Sequence, residues 1–549
     1  MTSTNTGLLL SAGTAGSSMQ EVLDTVSERT HRIEDHPLHG WLSAPDEHIE
    51  DKRKLWFCMY FVNFIMYFRE LNLYHISYGA DRSRDPLREA LSRHADEDMT
   101  HSRLFMKDFR ALGMDKTLGW KSSQVLYWMA SSPINDPLRR RTSELTKVVV
   151  STEDPKILYP VVESFEACGH ALFKHTAVLA ERITHKTGLP LIYWGQHHLE
   201  RETGHAVETG EDLLFRDLQL TTEQRNEATH KVIRVFELIE EQNSDMLRLA
   251  QETISQGSFA IRTRLHTRPQ TPVPVLRSKH ETPNSKRYDF NFLPDRPHPS
   301  QKPIVDALCQ QVLAIDAYKH SEIFKDRGLD DIIAKLRLYT LFFSSDITGS
   351  RTAYRYLMPV PSPKNATERA ANRLTQRFGH RAQMMYVDWQ SLMLDRALSW
   401  PTSRMLEFVY LDAHTEACRD LRNTIVRHVD RQASALHTYW TMVAIKTFTN
   451  SFSEPISRLA RRAEHALGLD LPYLMQRPNP EAPALEPDPE ADAVQLESIP
   501  VSEMTRDELI AAVNDVGNAL SAVVDAMEDA LKQHTYPEIY QPLTYREAA

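Results

Sequence analysis

His198, Glu202 and His205 stand at H-x3-E-x2-H spacing in the stretch Trp194-Gly-Gln-His-His-Leu-Glu-Arg-Glu-Thr-Gly-His205. Steps of four and then three residues bring all three side chains onto one face of a helix. Two imidazoles and a carboxylate on one stripe are what a transition-metal site needs. In a chain with 24 histidines a polar helix face explains such a motif equally well, so other segments must decide.

Two do. In His94-Ala-Asp-Glu-Asp-Met-Thr-His101, positions 94, 97, 98 and 101 share a helical face, which sets a carboxylate, Glu97 or Asp98, one turn from His101. In Glu163-Ser-Phe-Glu-Ala-Cys-Gly-His170, Glu163, Glu166 and His170 do the same. Helical bundles build carboxylate-rich dinuclear sites from helices that each supply Glu or a spaced Glu/His set. His and carboxylate donors without thiolate suit iron or manganese, and zinc also takes them. The ligand set expected is Glu97, His101, Glu166, His198, Glu202 and His205, with Asp98, Glu163 and Glu70 as alternates. Glu166 is preferred to Glu163 because the small Cys168 and Gly169 beside it would allow close helix approach. Glu70, next to Arg69, is also explained by a salt bridge at a helix end. Phe105, Phe165, Phe173, Tyr193 and Trp194 read as core.

Only 18 glycines and long Leu/Ala/Arg/Glu-rich stretches predict an all-α protein. Its length implies more than one core. The apolar run Leu55–Phe68 is too short to span a bilayer, so no membrane segment is expected. A net charge of −10 argues against a nucleic-acid partner. Four dispersed cysteines form no CxxC pair, and with no signal peptide apparent a cytoplasmic protein is expected.

The domains expected are a partly disordered N-terminus (1–45), a metal-bearing helical domain (46–256), a basic Pro-containing linker (257–303) and a second helical domain (304–475). An acidic Pro-rich linker (476–502) and a terminal amphipathic helix (503–535) follow. Thr505 and Glu508 read as a capping box for that helix, whose apolar stripe would dock on the protein's own body. In the second domain Asp412, His414 and Glu416 alternate by two and do not converge, so a degenerate repeat there would lack a metal set. Leu336–Ser345 could echo Val125–Ser132.

At the quoted residues the first half resembles the haem-oxygenase-like diiron oxidase and oxygenase superfamily. The likeness lies in Phe68-Arg-Glu-Leu-Asn72, the His94–Phe105 stretch, Glu163-x2-Glu166-Ala-Cys-Gly169 and Tyr193–His205, and covers roughly residues 45–255. It implies a haem-oxygenase-like seven-helix bundle, two Fe2+ per chain and dioxygen as co-substrate. It also implies oxidative chemistry on a small metabolite: N-oxygenation, desaturation or C–C cleavage, as in natural-product pathways. An external electron donor and a homodimer are both compatible with it. One departure is Glu202, where that superfamily commonly has Asp; ferritin-like arylamine N-oxygenases share the H-x3-E-x2-H spacing. Two alternatives stand beside this one. One is a non-catalytic helical scaffold or regulator with a vestigial site. The other is a cofactorless TenA-like hydrolase, for which Cys168 is the cysteine near the acid/His helices.

Overall fold

The computed structural model describes residues 17–200, 212–259, 298–352, 364–430, 434–475 and 499–543. Helices begin where the sequence offers an acceptor to the first exposed N–H groups. Asp85 receives Leu87 N at 2.9 Å, Asp154 receives Lys156 N at 2.9 Å, and Thr221 pairs with Gln224 in a capping box. They end where a glycine takes the left-handed region, at Gly188, Gly257 and Gly468.

The chain is all-α; among the described residues one two-residue antiparallel pair joins Ser17–Ser18 to Gln219–Leu220. The main helices of the first half are α1 (Met19–Glu34), α2 (Cys58–Leu71), α3 (Pro86–Asp98), α4 (His101–Ala111), α5 (Ser122–Ala130), α6 (Asp136–Val150), α7 (Pro155–Thr187) and α8 (Thr222–Gln256). Those of the second half are α9 (Lys302–Asp316), α10 (Leu329–Thr352), α11 (Ala366–Ser391), α12 (Thr402–Tyr410), α13 (Glu416–Asp430), α14 (Ala435–Leu467) and α15 (Glu503–Lys532).

The second half repeats the first, almost without gaps. The short helix Met114–Leu118 and α5 to α7 recur 280 residues later as Leu394–Leu398 and α12 to α14, each with the same start and end (Ser122 and Thr402, Ala130 and Tyr410, Pro155 and Ala435, Thr187 and Leu467). The anchors recur with them. Asp108 accepts Ile192 N and Trp194 N at 2.9 and 3.0 Å; Asp388 accepts Tyr473 N and Leu474 N at 3.0 and 2.8 Å. Arg139 and Arg419, both buried, brace equivalent turns. Gly113 and Gly119 have φ of 70° and 59°, and their counterparts Met393 and Ser399 keep the left-handed turn, at 52° and 47°, without being glycine.

This register corrects the expected internal echo and, at the terminal helix, the expected cap. Leu336 corresponds to Leu55 and not to Val125: Lys54 Nζ donates to Ala44 O and Lys335 Nζ to Lys325 O at matching places. Residues 19–34 and 37–43 are helical, and α1 packs on α7 and α8 as α9 packs on α14 and α15. The terminal helix is the counterpart of α8, is buried along Leu509, Val513, Val516, Leu520 and Val524, and is capped by Ser502, which accepts Thr505 N at 3.1 Å. Its length and apolarity would let it cross a membrane, but here it lies against α9, α13 and α14.

The halves meet through equivalent faces. Asp395 accepts from Ser123 N and Oγ at 2.8 and 2.5 Å, and Asp115 accepts from Ser403 N and Oγ, both at 2.7 Å. Each carboxylate caps a helix of the other half, α5 or α12, whose own preceding residue, Lys121 or Pro401, offers no side-chain acceptor. A contact in which residue i of one half meets j of the other, and j meets i, is the pattern of a two-fold dimer, here within one chain. The apolar core runs continuously across it.

Candidate metal centre

The site in the first half starts from a break. A single helix, α11, runs through the second half's equivalent of α3 and α4, whereas the first half interrupts the helix at Met99–Thr100. Asp98 and His101 flank that interruption, with His101 Nδ1 3.9 Å from Asp98 Oδ1. One turn back, His94 Nε2 lies 3.1 Å from Asp98 Oδ2 and 3.3 Å from Glu166 Oε1 on α7. The donor atoms of His94, Asp98 and Glu166 all fall within 4.8 Å of one another. Burial alone would depress the His94 imidazole, but the Asp98 and Glu166 carboxylates outweigh it and hold its pKa well above the histidine range.

His198 reaches this group from the loop after α7. Buried Asp108 grips that loop by two backbone N–H groups; burial raises the Asp108 pKa while the N–H bonds oppose the rise. His198 Nδ1 lies 2.8 Å from Tyr193 O. A carbonyl only accepts, so Nδ1 carries the proton and Nε2 is the ring's acceptor nitrogen. The His198 ring packs on Phe173 at 4.0 Å and on His101 at 4.5 Å between centroids.

Of the expected ligands, His101 packs its ring on His198 and shares a cavity wall with Glu166. The alternate Asp98 belongs to the group, while Glu97 is half-buried and is not a member of it. Glu163 is half-buried one turn before Glu166. Glu202 and His205 lie outside the described residues. Glu70 is removed from the candidates: it is fully buried and ion-paired to Arg422 of α13, with Asn423 Nδ2 donating to it at 3.1 Å. His94, one turn from Asp98 on the same face, belongs to the group as well.

The donors are imidazoles and carboxylates, which fits iron, manganese or zinc. The nearby thiol does not join them: burial first, and then Glu240, push the Cys168 pKa well above its ordinary value, so it stays protonated and a poor nucleophile. In the second half, the positions 280 residues beyond His94, Asp98, His101 and Glu166 are Leu374, Phe378, Arg381 and Lys446, none of them a metal ligand at neutral pH.

A partly open cavity adjoins the group, lined by His101 and Glu166 and by Phe61, Phe64, Phe165 and Phe173. Gln242 and Asn243 of α8 also line it. Nothing in the sequence distinguished them from other polar positions on an amphipathic helix. Gly169 borders the cavity too, and a Cβ placed there would meet only the Phe173 ring, at 3.6 Å. The space beside Gly169 is therefore cavity, and not the close helix approach its small size suggested.

The chain matches no known protein-family model and no curated protein.

Proposed function

We propose that the first half is a non-haem dinuclear metal oxidase or oxygenase acting on a small metabolite, with iron as the metal. The observation that carries this reading is the convergence of His94, Asp98 and Glu166 beside the His101–His198 pair at the wall of an apolar cavity. His94, Asp98, His101, Glu166 and His198 would hold the metal, with Glu202 and His205 following His198 in sequence. Bound iron would supply the activation of dioxygen. The chain's own part is to hold and to exclude. Tyr193 O fixes the His198 tautomer, Asp108 fixes the loop that bears it, and the phenyl wall keeps water from the reacting side. The haem-oxygenase-like superfamily resemblance supports the same chemistry.

The second half contributes its face and not its chemistry, since its equivalent positions lack ligands. Anaerobic Fe(II) loading is expected to reach about two irons per chain, as for other carboxylate-bridged bundles, and oxygen exposure to give a transient visible band. Asp98→Asn and His198→Ala are each expected to abolish the band while far-ultraviolet circular dichroism stays unchanged. Unaltered oxygen reactivity in both variants refutes the assignment.

A further inference from the structure

The short helix Pro37–Ser43 follows α1 and packs on α7 and α8. Three histidines hold it, and each fits only as a neutral ring. His36 is the cap. Leu38 N donates to His36 Nδ1 at 3.1 Å, so that nitrogen carries no proton. His36 Nε2 stands 3.0 Å from Ser244 Oγ of α8, whose own proton goes to Glu240 O at 3.0 Å, so the ring donates there. A second proton, on Nδ1, would set N–H against N–H and remove the cap.

His39 is fully buried. Its Nδ1 lies 3.4 Å from Glu34 O, which only accepts, so Nε2 is the bare nitrogen. That Nε2 is buried and has no hydrogen-bond partner among the described residues. Charging the ring would bury an N–H with nothing to receive it. The His175 ring of α7 is stacked on His39 at 5.2 Å and 17°, and the His36 ring is 6.0 Å away. His175 Nδ1 lies 3.1 Å from Ser43 Oγ, which gives its own proton to His39 O at 3.1 Å. A charge on one ring therefore raises the cost of charging the next. Burial lowers the pKa of all three, that of His39 to about 4.

The surrounding charges are already engaged. From α1, Glu34 pairs with Lys174 of α7 and has His31 at 3.8 Å, and Arg32 reaches Glu240 of α8 at 3.4 Å. At the far end, Asp51 pairs with Arg182 and Lys186 of α7 at 3.1 and 2.7 Å, and Lys54 Nζ donates to Trp41 O and Ala44 O at 2.7 and 2.6 Å. Lys174 holds the Glu34 carboxyl below its ordinary range. Burial would raise Asp51, but Lys186 and Arg182 outweigh it. Both acids stay ionised at pH 5, so the histidines are what changes.

We propose that helix 37–43 is an acid-released latch, freed from α7 and α8 when His36, His39 and His175 take up protons. It lies against His175, two residues beyond Phe173 of the cavity wall. The latch does not draw on the metal-centre reading. A histidine in the opened segment returns to about 6.5. Closure is complete above that pH and weakens as pH falls toward 4. His39 alone raises the opening constant about 20-fold between pH 7 and pH 5.

Hydrogen exchange of the full chain, read by mass spectrometry at pH 7 and pH 5 and corrected for intrinsic rates, is the test. Amides 38–44 are expected to lose about 20-fold or more in protection, while those of α15 keep theirs. His36→Asn/His39→Leu keeps a cap residue that does not titrate and removes the buried ring, and most of the loss vanishes. His36→Asn alone, the milder change, reduces it. Equal protection at the two pH values, a loss shared by α15, or a pH response undiminished in both variants each overturns the proposal.

Discussion

Arg422→Met is the sharpest probe of how the two halves hold together. Glu70 and Arg422 are both 0 % exposed, and they come from opposite halves. Arg422 Nε donates to Glu70 at 3.0 Å, its second guanidinium nitrogen donates as well, and its charge lies over the Tyr410 ring at 5.4 Å. Removing the arginine strands a carboxylate in the core, a change that costs about 3–5 kcal/mol. A stranded carboxyl escapes by taking up a proton, which from the value of a free glutamate, about 4.3, costs about 1.4 kcal/mol per pH unit. At pH 7 that route sets a ceiling of about 4 kcal/mol.

Urea unfolding of Arg422→Met is therefore expected to show a loss of about 3–4 kcal/mol at pH 7 that shrinks by more than half at pH 5. Glu70→Leu/Arg422→Met removes both charges and is expected to lose much less than the two single variants combined. A loss under 1 kcal/mol, a loss indifferent to pH, or strict additivity would refute the reasoning.

The remaining expectations follow from other parts of the fold. Gly169→Ala gains about 0.5–1 kcal/mol in unfolding free energy, because its Cβ has room; destabilisation would mean the helix is more crowded there. Ser399→Gly relieves a left-handed turn at φ 47° and raises stability by about 1 kcal/mol, read from the denaturation midpoint. Asp395→Asn loosens the cap on α5 and costs about 1 kcal/mol; no change would show that the cap is dispensable. His39, fully buried and stacked on His175, has its pKa lowered to about 4 by burial and then by His175. The neutral ring is favoured in the fold, so stability is complete above about pH 6.5 and falls as pH drops from there toward 4, by up to about 3 kcal/mol. His39→Leu is expected to flatten that part of the pH profile.

Helices and site residues were legible in the sequence to different depths. Apolar periodicity and caps such as Asp154-Pro155 mark helices well because both act within one or two turns. The i,i+3 and i,i+4 relations among His94, Asp98 and His101 marked the right face for the same reason. The choice between Glu97 and Asp98 stayed open in the sequence because both lie within a turn of His101; in the fold it is Asp98 that groups with His94 and Glu166. Glu70 is ion-paired, but its partner is Arg422, 352 residues away, and not the neighbouring Arg69. The register of the repeat is not legible in apolar runs such as Leu336–Ser345 and Val125–Ser132. A buried apolar position accepts many side chains of similar volume, so such runs drift. What persists 280 residues apart is sparse and polar or bulky: Asp108 and Asp388, Asp115 and Asp395, Ser123 and Ser403, Trp120 and Trp400, Arg139 and Arg419.

The paired aspartate clasps make the ligand-poor half a splint. Freed from coordinating duty at Leu374, Phe378, Arg381 and Lys446, it still has to present Asp395 and Ser403 in register with Ser123 and Asp115. Its tolerance to mutation should accordingly divide along one line, permissive at Leu374, Phe378, Arg381 and Lys446 and strict wherever it touches its twin.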